Sequence, residues 1–225
     1  MQTPPTPSAP DGHAALPYPD ADTLADHWWW RPGWQVGTRF LAFHITVADL
    51  PALADHVAAY QHVLAPFAFL DLIPRQRLHI TVQGLDHAHN VSDSQRDDVT
   101  AAVRAQLAAI PAPTLTFDRP VAHREAVVLP PTDPQPRRAI RDAIRAGIAA
   151  AYGPPEGAPT TKYRPHSSAA YVNTAADAVP VRQALDALDV PPATLALTHV
   201  TLMEMHRDNR MYQWRVITTV PFGAA

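Results

Sequence analysis

Two short segments of the sequence place a histidine two residues before a hydroxyl side chain: His79 with Thr81, and His166 with Ser168. An imidazole exchanges protons near neutral pH, because its ordinary pKa is about 6.5. A hydroxyl can donate a hydrogen bond to a non-bridging phosphate oxygen, where negative charge is concentrated. If both pairs face one cleft, a neutral ring can take a proton from the attacking group while a protonated ring donates one to the leaving oxygen. These residue types therefore suit metal-free cleavage of a phosphodiester.

The first pair lies in a segment with the two-residue period of a β-strand. Residues 77–84 (RLHITVQG) alternate apolar and polar side chains. A strand with this pattern turns its apolar side chains to the core and its other side chains the opposite way. We therefore expect His79 and Thr81 to point together into a cleft.

The spacing alone does not single out these two histidines, because His44 and His199 also precede a threonine by two residues. The order strand, helix, histidine strand, helix, strand occurs twice, over about 39–118 and 121–205, and such repetition indicates an internal duplication. His79 and His166, 87 residues apart, occupy the same element of each repeat. Pairing His79 with His199 stays as an alternative that breaks the symmetry. His44 and His199 are otherwise interpreted as polar positions on half-buried strands, with a supporting role open to His44.

The predicted elements come from hydrophobic periodicity and from capping residues. Segment 111–117 (PAPTLTF) also resembles segment 191–197 (PPATLAL). Asp49 is expected to cap the first helix and Gly153 to end the third. The predicted strands are 39–47, 78–84, 114–117, 125–129, 164–172, 194–205 and 212–220. Residues 67–73 are predicted as a connection or a short strand. The predicted helices are 50–64, 92–110, 137–152 and 181–188. Repeated units of this kind favour an α+β protein with two small lobes facing each other.

The N-terminal region has a different composition from the rest. Residues 1–25 are rich in proline and lack an apolar period, so we expect a disordered tail there and a single domain over 26–225. Residues 26–34 contain four of the five tryptophans. Three consecutive tryptophans cannot all enter one core, so this segment is expected to wrap the body, with ligand contact as the alternative.

Composition excludes several classes of function. The net charge of −3 and pI near 6.4 offer no broad basic field for DNA, although a small nucleotide or an RNA end needs only a local site. There are no cysteines, which excludes disulfides, thiol nucleophiles and cysteine-bound zinc. No apolar run approaches the ~20 residues of a membrane span and no secretory signal is recognisable, so we expect a cytoplasmic protein without membrane contact, monomeric by default.

The motifs resemble those of the two-histidine phosphoesterase superfamily, which contains the 2′-5′ RNA ligase-like proteins, and come nearest to its actinobacterial-type members. Residues 78–85 (LHITVQGL) match the family's first motif, and 163–173 (YRPHSSAAYVN) match the second. Residues 200–216 (VTLMEMHRDNRMYQWRV) are similar to its closing hairpin. Two departures are Ser168 in place of the commoner threonine and Ser167 in place of an apolar residue.

The resemblance implies a duplicated bilobal α+β fold, with two antiparallel-sheet lobes flanked by helices around a central cleft. It implies His79, Thr81, His166 and Ser168 as catalytic residues, with His166 as base and His79 as acid by analogy, and no cofactor or metal. It also implies a 2′,3′-cyclic phosphate or a 2′-5′ linkage on a nucleotide or RNA end as substrate, in either the hydrolytic or the ligating direction.

Further substrate contacts are candidates only by residue type. An aromatic ring can stack on a base and an arginine can face a phosphate. Packing or simple surface exposure is the alternative for each. The candidates are His44, Tyr163, Arg164, Tyr171, Arg207 and Trp30.

Other functions fit the sequence less well. His87, His89, His123 and His206 invite a metal hydrolase, but no His-Glu-x-x-His or comparable motif is present. A serine nucleophile is disfavoured because no Gly-x-Ser-x-Gly elbow occurs. A non-catalytic RNA- or nucleotide-binding module on the same fold is the main non-enzymatic alternative.

Overall fold

The computed structural model describes residues 18–48, 50–155 and 157–223. The strands of the described residues are β1 (Thr23–Leu24), β2 (Phe40–Thr46), β3 (Leu70–Leu72), β4 (His79–His87), β5 (Thr114–Phe117), β6 (Val121–His123), β7 (Ala126–Leu129), β8 (Ser167–Val172), β9 (Ala176–Asp177), β10 (Ala193–Ala196), β11 (His199–His206) and β12 (Gln213–Pro221). The helices are α1 (Pro51–Leu64), α2 (Asp93–Leu107), α3 (Gln135–Ala151) and α4 (Val179–Asp186). Within these residues, no helix has the length and apolar character needed to cross a bilayer.

One antiparallel sheet carries most of the strands, and its order reveals a two-fold arrangement. The order is β12-β11-β2-β4-β8-β7-β6, with β3 also paired to β8. Strands β4 and β8 meet at the centre through a single pair, Ile80 with Ser167. These two residues are 87 positions apart, as are His79 and His166. Each half of the sheet is therefore one lobe, and the two histidine motifs meet at the junction.

Helices and the small outer sheet follow the same symmetry. Helix α1 packs with α4, and α2 packs with α3. The similar segments of the two repeats form β5 and β10, which pair with each other, with Leu115 opposite Leu195. The predicted duplicated bilobal α+β fold is confirmed.

Local sequence explains why the central elements form. In β4, Ile80 and Val82 are fully buried, whereas His79 and Thr81 point to the other face. Helix α2 begins with a capping box, in which the Ser92 hydroxyl accepts from the Gln95 amide and the Gln95 side chain accepts from the Ser92 amide. The four predicted helices lie within three residues of their observed ends. Asp49, the expected cap of α1, lies outside the described residues.

Helices α2 and α3 approach closely because of a glycine. A Cβ at Gly147 would lie 2.7 Å from the Cα and 2.8 Å from the backbone nitrogen of Val103. Neither backbone atom can move away without shifting the helix. Gly147 therefore sets the distance between the helices that cover this part of the sheet.

Two predictions about boundaries are wrong, and some short strands, β6 among them, were not predicted. Residues 18–25 are not part of a disordered tail, because β1 pairs with β9 and the Ala25 amide donates to the Arg124 carbonyl. The single predicted strand 194–205 is two strands, β10 and β11, in different sheets. Strand β6 is a short edge strand paired with β7. Residues 1–17, the rest of the predicted tail, lie outside the described part of the chain.

Candidate active site

A cavity of about 630 Å³ lies at the junction of the two lobes. Its wall includes all four residues of the two motifs: His79, Thr81, His166 and Ser168. His79 and Thr81 come from β4, Ser168 comes from β8, and His166 immediately precedes β8. Because Ile80 pairs directly with Ser167, the two histidines flank the centre of the sheet from opposite sides. The structure thus places His79 and His166, the pair that the internal duplication selects, at one cavity. His199, at the start of β11, does not line the cavity.

Each histidine is oriented by the same backbone contact. The Nδ1 atom of His79 lies 2.8 Å from the carbonyl oxygen of Arg77, and the Nδ1 atom of His166 lies 3.0 Å from that of Arg164. A carbonyl can only accept, so Nδ1–H is the donor in both rings. In the neutral form of each ring, Nε2 therefore keeps a lone pair, and this is the atom left to exchange protons with a substrate.

Each motif hydroxyl has a polar neighbour behind it. The Thr81 hydroxyl lies 3.0 Å from Nε2 of His44, on the adjacent strand β2. Burial raises the pKa of Tyr171, and the Ser168 hydroxyl beside it acts in the opposite direction. When Nε2–H of His44 donates to it, the Thr81 hydroxyl is free to donate its own proton to a phosphate oxygen.

Burial keeps the site histidines uncharged. It lowers the pKa of His166 to about 4, and the charge of Arg137 acts in the same direction. Burial also lowers the pKa of His79. The pKa of the fully buried His44 is lowered to about 3, again chiefly by burial and further by His79. All three rings are therefore neutral at pH 7.

The wall of the cavity is positively charged although the chain carries a net charge of −3. Four arginines line it, Arg31, Arg124, Arg141 and Arg164, with Glu125 as the one carboxylate among the described lining residues. Glu125 is paired with Arg31 at 3.1 Å. The remaining three arginines therefore leave an unbalanced positive charge that would attract an anionic ligand.

Arg137 adds a buried charge beside this wall. Its side chain is completely buried, and none of its guanidinium nitrogens has a hydrogen-bond partner among the described residues. The guanidinium lies over the ring of Phe117 at 5.5 Å. Burial without a partner lowers the pKa of Arg137 to about 10, so the side chain stays charged at neutral pH.

Four of the six predicted substrate contacts line the cavity: His44, Tyr163, Arg164 and Tyr171. The Tyr163 hydroxyl donates to the Thr81 carbonyl at 2.6 Å, and the Arg141 guanidinium covers its ring at 4.4 Å. Tyr171 stacks on His27 with ring centroids 4.2 Å apart. Both tyrosine rings are therefore held in the wall by protein contacts, whereas the Arg164 side chain is exposed.

Trp30 and Arg207, the other two predicted contacts, do not line the cavity. The Arg207 guanidinium is buried beneath the tryptophan segment, where it donates to the carbonyls of His27 and Trp29 and lies over the rings of Trp28 and Trp30. Both hydrogen bonds come from Nη2, whereas the buried Nη1 has no hydrogen-bond partner among the described residues. Arg207 anchors the tryptophan segment and Trp30 covers Arg207, and their contact with substrate stays a prediction.

Sequence reasoning missed Tyr18 and Arg141, which line the cavity, and Arg137, which lies beside its wall. Tyr18 lies in the proline-rich region and gave no signal, although it contacts His166. Arg137 and Arg141 had a signal: they lie four residues apart, and Ile140 and Ile144 repeat with the same period. All four side chains are buried on one face of α3. Arginines at core-facing helix positions are unusual and could have been noted as candidates.

Histidines outside the motifs bear on the alternative of a metal site. The rings of His87 and His89 lie 5.6 Å apart. Among residues 18–48, 50–155 and 157–223, no three His, Asp or Glu side chains are grouped as metal ligands.

Solved structures share this fold at low sequence identity. TT0787 of Thermus thermophilus superposes with a TM-score of 0.59 at 13% identity, covering 82% of this chain and 98% of that one. LigT of E. coli complexed with 3′-AMP gives 0.59 at 18% identity, covering 82% and 98%. The MHV ns2 PDE domain gives 0.50 at 14% identity, covering 80% and 99%. No curated protein matches the sequence.

The superfamily of the chain is shown by a family model. The model of the 2′-5′ RNA ligase superfamily matches residues 49–209, which include both histidine motifs and most of the folded chain. Two histidine motifs at one cavity, in a sheet with two-fold order, are what the resemblance to the two-histidine phosphoesterases implied. The chain belongs to the 2′-5′ RNA ligase superfamily.

Proposed function

We propose that this protein is a metal-independent phosphoesterase that opens a 2′,3′-cyclic phosphate, or joins or cleaves a 2′-5′ linkage, on a nucleotide or RNA terminus. The observation that carries the proposal is the matched orientation of His79 and His166, each held through Nδ1 with Nε2 left for proton transfer. Paired imidazoles supply both a base and an acid without a metal.

In the hydrolytic direction, Nε2 of His166 takes a proton from the attacking water, and Nε2–H of His79 donates a proton to the leaving sugar oxygen. His166 suits the base because Arg137 and burial keep it neutral. His79 must be protonated to act as acid, and the negative charge of a bound phosphate would raise its pKa toward neutrality. In the ligating direction the two roles are exchanged.

Thr81 and Ser168 would bind the non-bridging oxygens of the same phosphate. Their positions on β4 and β8 correspond across the two-fold centre of the sheet, so the two hydroxyls approach the phosphate from the two lobes. Preorganised donors of this kind lower the energy of the transition state because they do not have to reorient when charge develops.

The chemistry of the wall supports a nucleotide as substrate. The unbalanced arginines favour an anion. At the far end of the first lobe, Trp34, Phe40 and Met205 line the cavity and offer apolar surface for a base. Solved relatives with this fold include LigT of E. coli complexed with ATP and with NADP+, which agrees with a nucleotide ligand.

The four motif residues line one cavity within a single chain, so we expect a monomer to be active.

A nucleotide- or RNA-binding module without catalysis is the second candidate, since a fold does not guarantee an activity. The presence of both histidines and both hydroxyls at one cavity favours the enzyme. A His-ligated metal hydrolase is a third possibility from the histidine content.

The decisive experiment measures hydrolysis of a 2′,3′-cyclic mononucleotide in the presence of EDTA by the wild type and by His79→Ala, His166→Ala and His199→Ala. We expect turnover that persists in EDTA, falls to background in the first two variants and survives in the third. His199 is a matched control because it also precedes a threonine by two residues but lies outside the cavity.

Other outcomes separate the alternatives. Activity that EDTA removes and a divalent metal restores would favour the metal hydrolase. Binding of the nucleotide without turnover would favour the binding module. Loss of activity in His199→Ala with retention in His166→Ala would overturn the assignment of the histidine pair.

A further inference from the structure

The N-terminal strap, which we define as residues 18–31, is fixed to the second lobe beside His166. The amides of Ala21 and His27 donate to the carbonyls of Ala122 and Val172, each at 2.8 Å. The Asp20 carboxylate accepts from the Ala122 amide at 3.0 Å. The strap thus covers the edge strand β6 and brings its first residues to the cavity.

Tyr18, at the start of the strap, reaches the second histidine motif from 148 residues away. Its hydroxyl lies 2.7 Å from Nδ1 of His166 and donates to the Arg164 carbonyl at 2.5 Å. That carbonyl also accepts from Nδ1–H of His166. The Tyr18 ring meets the His166 ring edge-on at 5.5 Å, and the His123 ring edge-on at 5.6 Å.

These contacts define one arrangement of protons. The Arg164 carbonyl cannot donate, so it must receive the Tyr18 O–H and the His166 N–H. The Tyr18 oxygen then offers its lone pair as a second acceptor for Nδ1–H. The opposite tautomer would turn the lone pair of Nδ1 toward the carbonyl oxygen 3.0 Å away, which is repulsive.

Among the described residues, no hydroxyl group is hydrogen-bonded to Nδ1 of His79. Its Nδ1 contacts the Arg77 carbonyl, and its ring meets the edges of Tyr212 and Trp214 at 5.7 and 5.3 Å. The two histidines therefore share one backbone contact but differ in the side chains around it. The strap is one source of this difference between two otherwise symmetric sites.

We infer that Tyr18 is a positioning residue for His166: its hydroxyl and ring hold the imidazole so that the lone pair of Nε2 faces the cavity, and they shield Nδ1–H from water. The Tyr18 hydroxyl is engaged by the Arg164 carbonyl and Nδ1 of His166, so Tyr18 acts through His166. The inference rests on the proposed catalytic role of His166, but its first test requires no activity.

The first test is NMR of the free protein with 15N-labelled histidine, comparing wild type with Tyr18→Phe. The phenylalanine keeps the ring contacts and removes only the hydroxyl. In the wild type we expect a protonated Nδ1 on His166 whose proton exchanges slowly with water. In Tyr18→Phe we expect that exchange to quicken at least tenfold, while the corresponding signal of His79 stays unchanged and serves as an internal control.

The second test is kinetic. Tyr18→Phe should lower kcat about tenfold with KM within twofold of the wild type, because a mispositioned base affects proton transfer rather than binding. Tyr18→Ala, which also removes the ring, should lower kcat further. Tyr60→Phe is the matched control, since Tyr60 is a buried tyrosine on α1 outside the cavity.

Unchanged exchange of the His166 Nδ1 proton in Tyr18→Phe would overturn the inference. So would a fall in kcat that is matched by Tyr60→Phe, because the effect would then reflect general packing. If the wild type is inactive on cyclic nucleotides, only the proposed function fails. The NMR comparison of wild type with Tyr18→Phe then still shows whether Tyr18 orients His166.

Discussion

His79 and His166 make the same hydrogen bond in the two halves of the molecule, each from Nδ1–H to the carbonyl of the residue two positions earlier. Around this shared contact the two rings have different neighbours: the C-terminal hairpin supplies Tyr212 and Trp214 to His79, and the N-terminal strap supplies Tyr18 to His166. A duplicated fold can therefore hold two like residues and still give them different roles.

The contact between His44 and Thr81 predicts that His44 acts through the threonine hydroxyl. Thr81→Val should lower kcat/KM about 100-fold, as expected when one preorganised donor is lost. His44→Leu should lower it about tenfold, because the hydroxyl loses the partner that orients it. The double variant should be no worse than Thr81→Val alone.

Steady-state kinetics on a 2′,3′-cyclic mononucleotide tests this prediction by comparing kcat/KM of the two single variants and the double variant. His56→Leu is the control, since His56 is also a buried histidine but contacts Asp118 away from the cavity. Additive losses in the double variant would contradict the idea that His44 acts through Thr81.

The charge of Arg137 predicts a shift in the pH profile. Arg137 lowers the pKa of His166, so Arg137→Met should raise that pKa. Since a base works only when neutral, activity is lost as pH falls through its pKa. The acid limb of kcat/KM should therefore move to higher pH in the variant. Because the variant also removes a buried charge without a described partner, its thermal midpoint should not fall.

A pH series of kcat/KM and a thermal melt check both statements. Arg104→Met on the exposed side of α2 is the control and should change neither. An unmoved acid limb in Arg137→Met would mean that another base, or another charge, governs the profile.

The buried histidines predict a loss of stability in mild acid. The pKa of His27 and of His44 is lowered from 6.5 to about 3, and that of His166 to about 4. Below pH 6.5 these histidines bind protons in the unfolded chain but not in the folded chain. The free energy of unfolding therefore falls as pH decreases toward 4. Each histidine contributes a slope of up to about 1.4 kcal/mol per pH unit.

Urea unfolding between pH 7.5 and 4.5, followed by tryptophan fluorescence, measures this slope. His27→Gln should make the slope shallower. His62→Gln, a change at an exposed position of α1, should leave it as in the wild type. A free energy of unfolding that is constant over this range would show that these rings titrate normally in the folded state.

Close packing of α2 on α3 predicts that Gly147→Ala destabilises the protein, although alanine favours helices. The new Cβ would lie less than 3 Å from backbone atoms of Val103, and the helices would have to separate. We expect a loss of about 1–3 kcal/mol in the free energy of unfolding, as for other overpacked cores. Chemical denaturation measures it, and a variant as stable as the wild type would show that the helix pair can adjust. Val103→Ala in the Gly147→Ala background should recover little, because the backbone of Val103 remains.

Much of the fold followed from local pattern. The alternation in 77–84 predicted which face of β4 carries His79, and the helical periods placed all four helices within three residues. Duplication then selected His166 over His44 and His199. In the structure His79 and His166 line one cavity, which His44 also lines and His199 does not. Periodicity records which face of an element is buried, and repetition records which elements occupy equivalent positions, so both are readable from the chain alone.

Tertiary structure decided the rest. Tyr18 contacts His166 across 148 residues, and no local pattern marks a contact made by docking one segment on another. The division of 194–205 into β10 and β11 depends on which sheet each half joins, which alternation does not record. Arg207 and Trp30 are candidate ligand contacts by residue type, and only the tertiary structure shows that they pack against each other. The sequence therefore determined the two histidine motifs and the elements that carry them, whereas long-range packing decided what surrounds each histidine, because burial and orientation there depend on segments far apart in the chain.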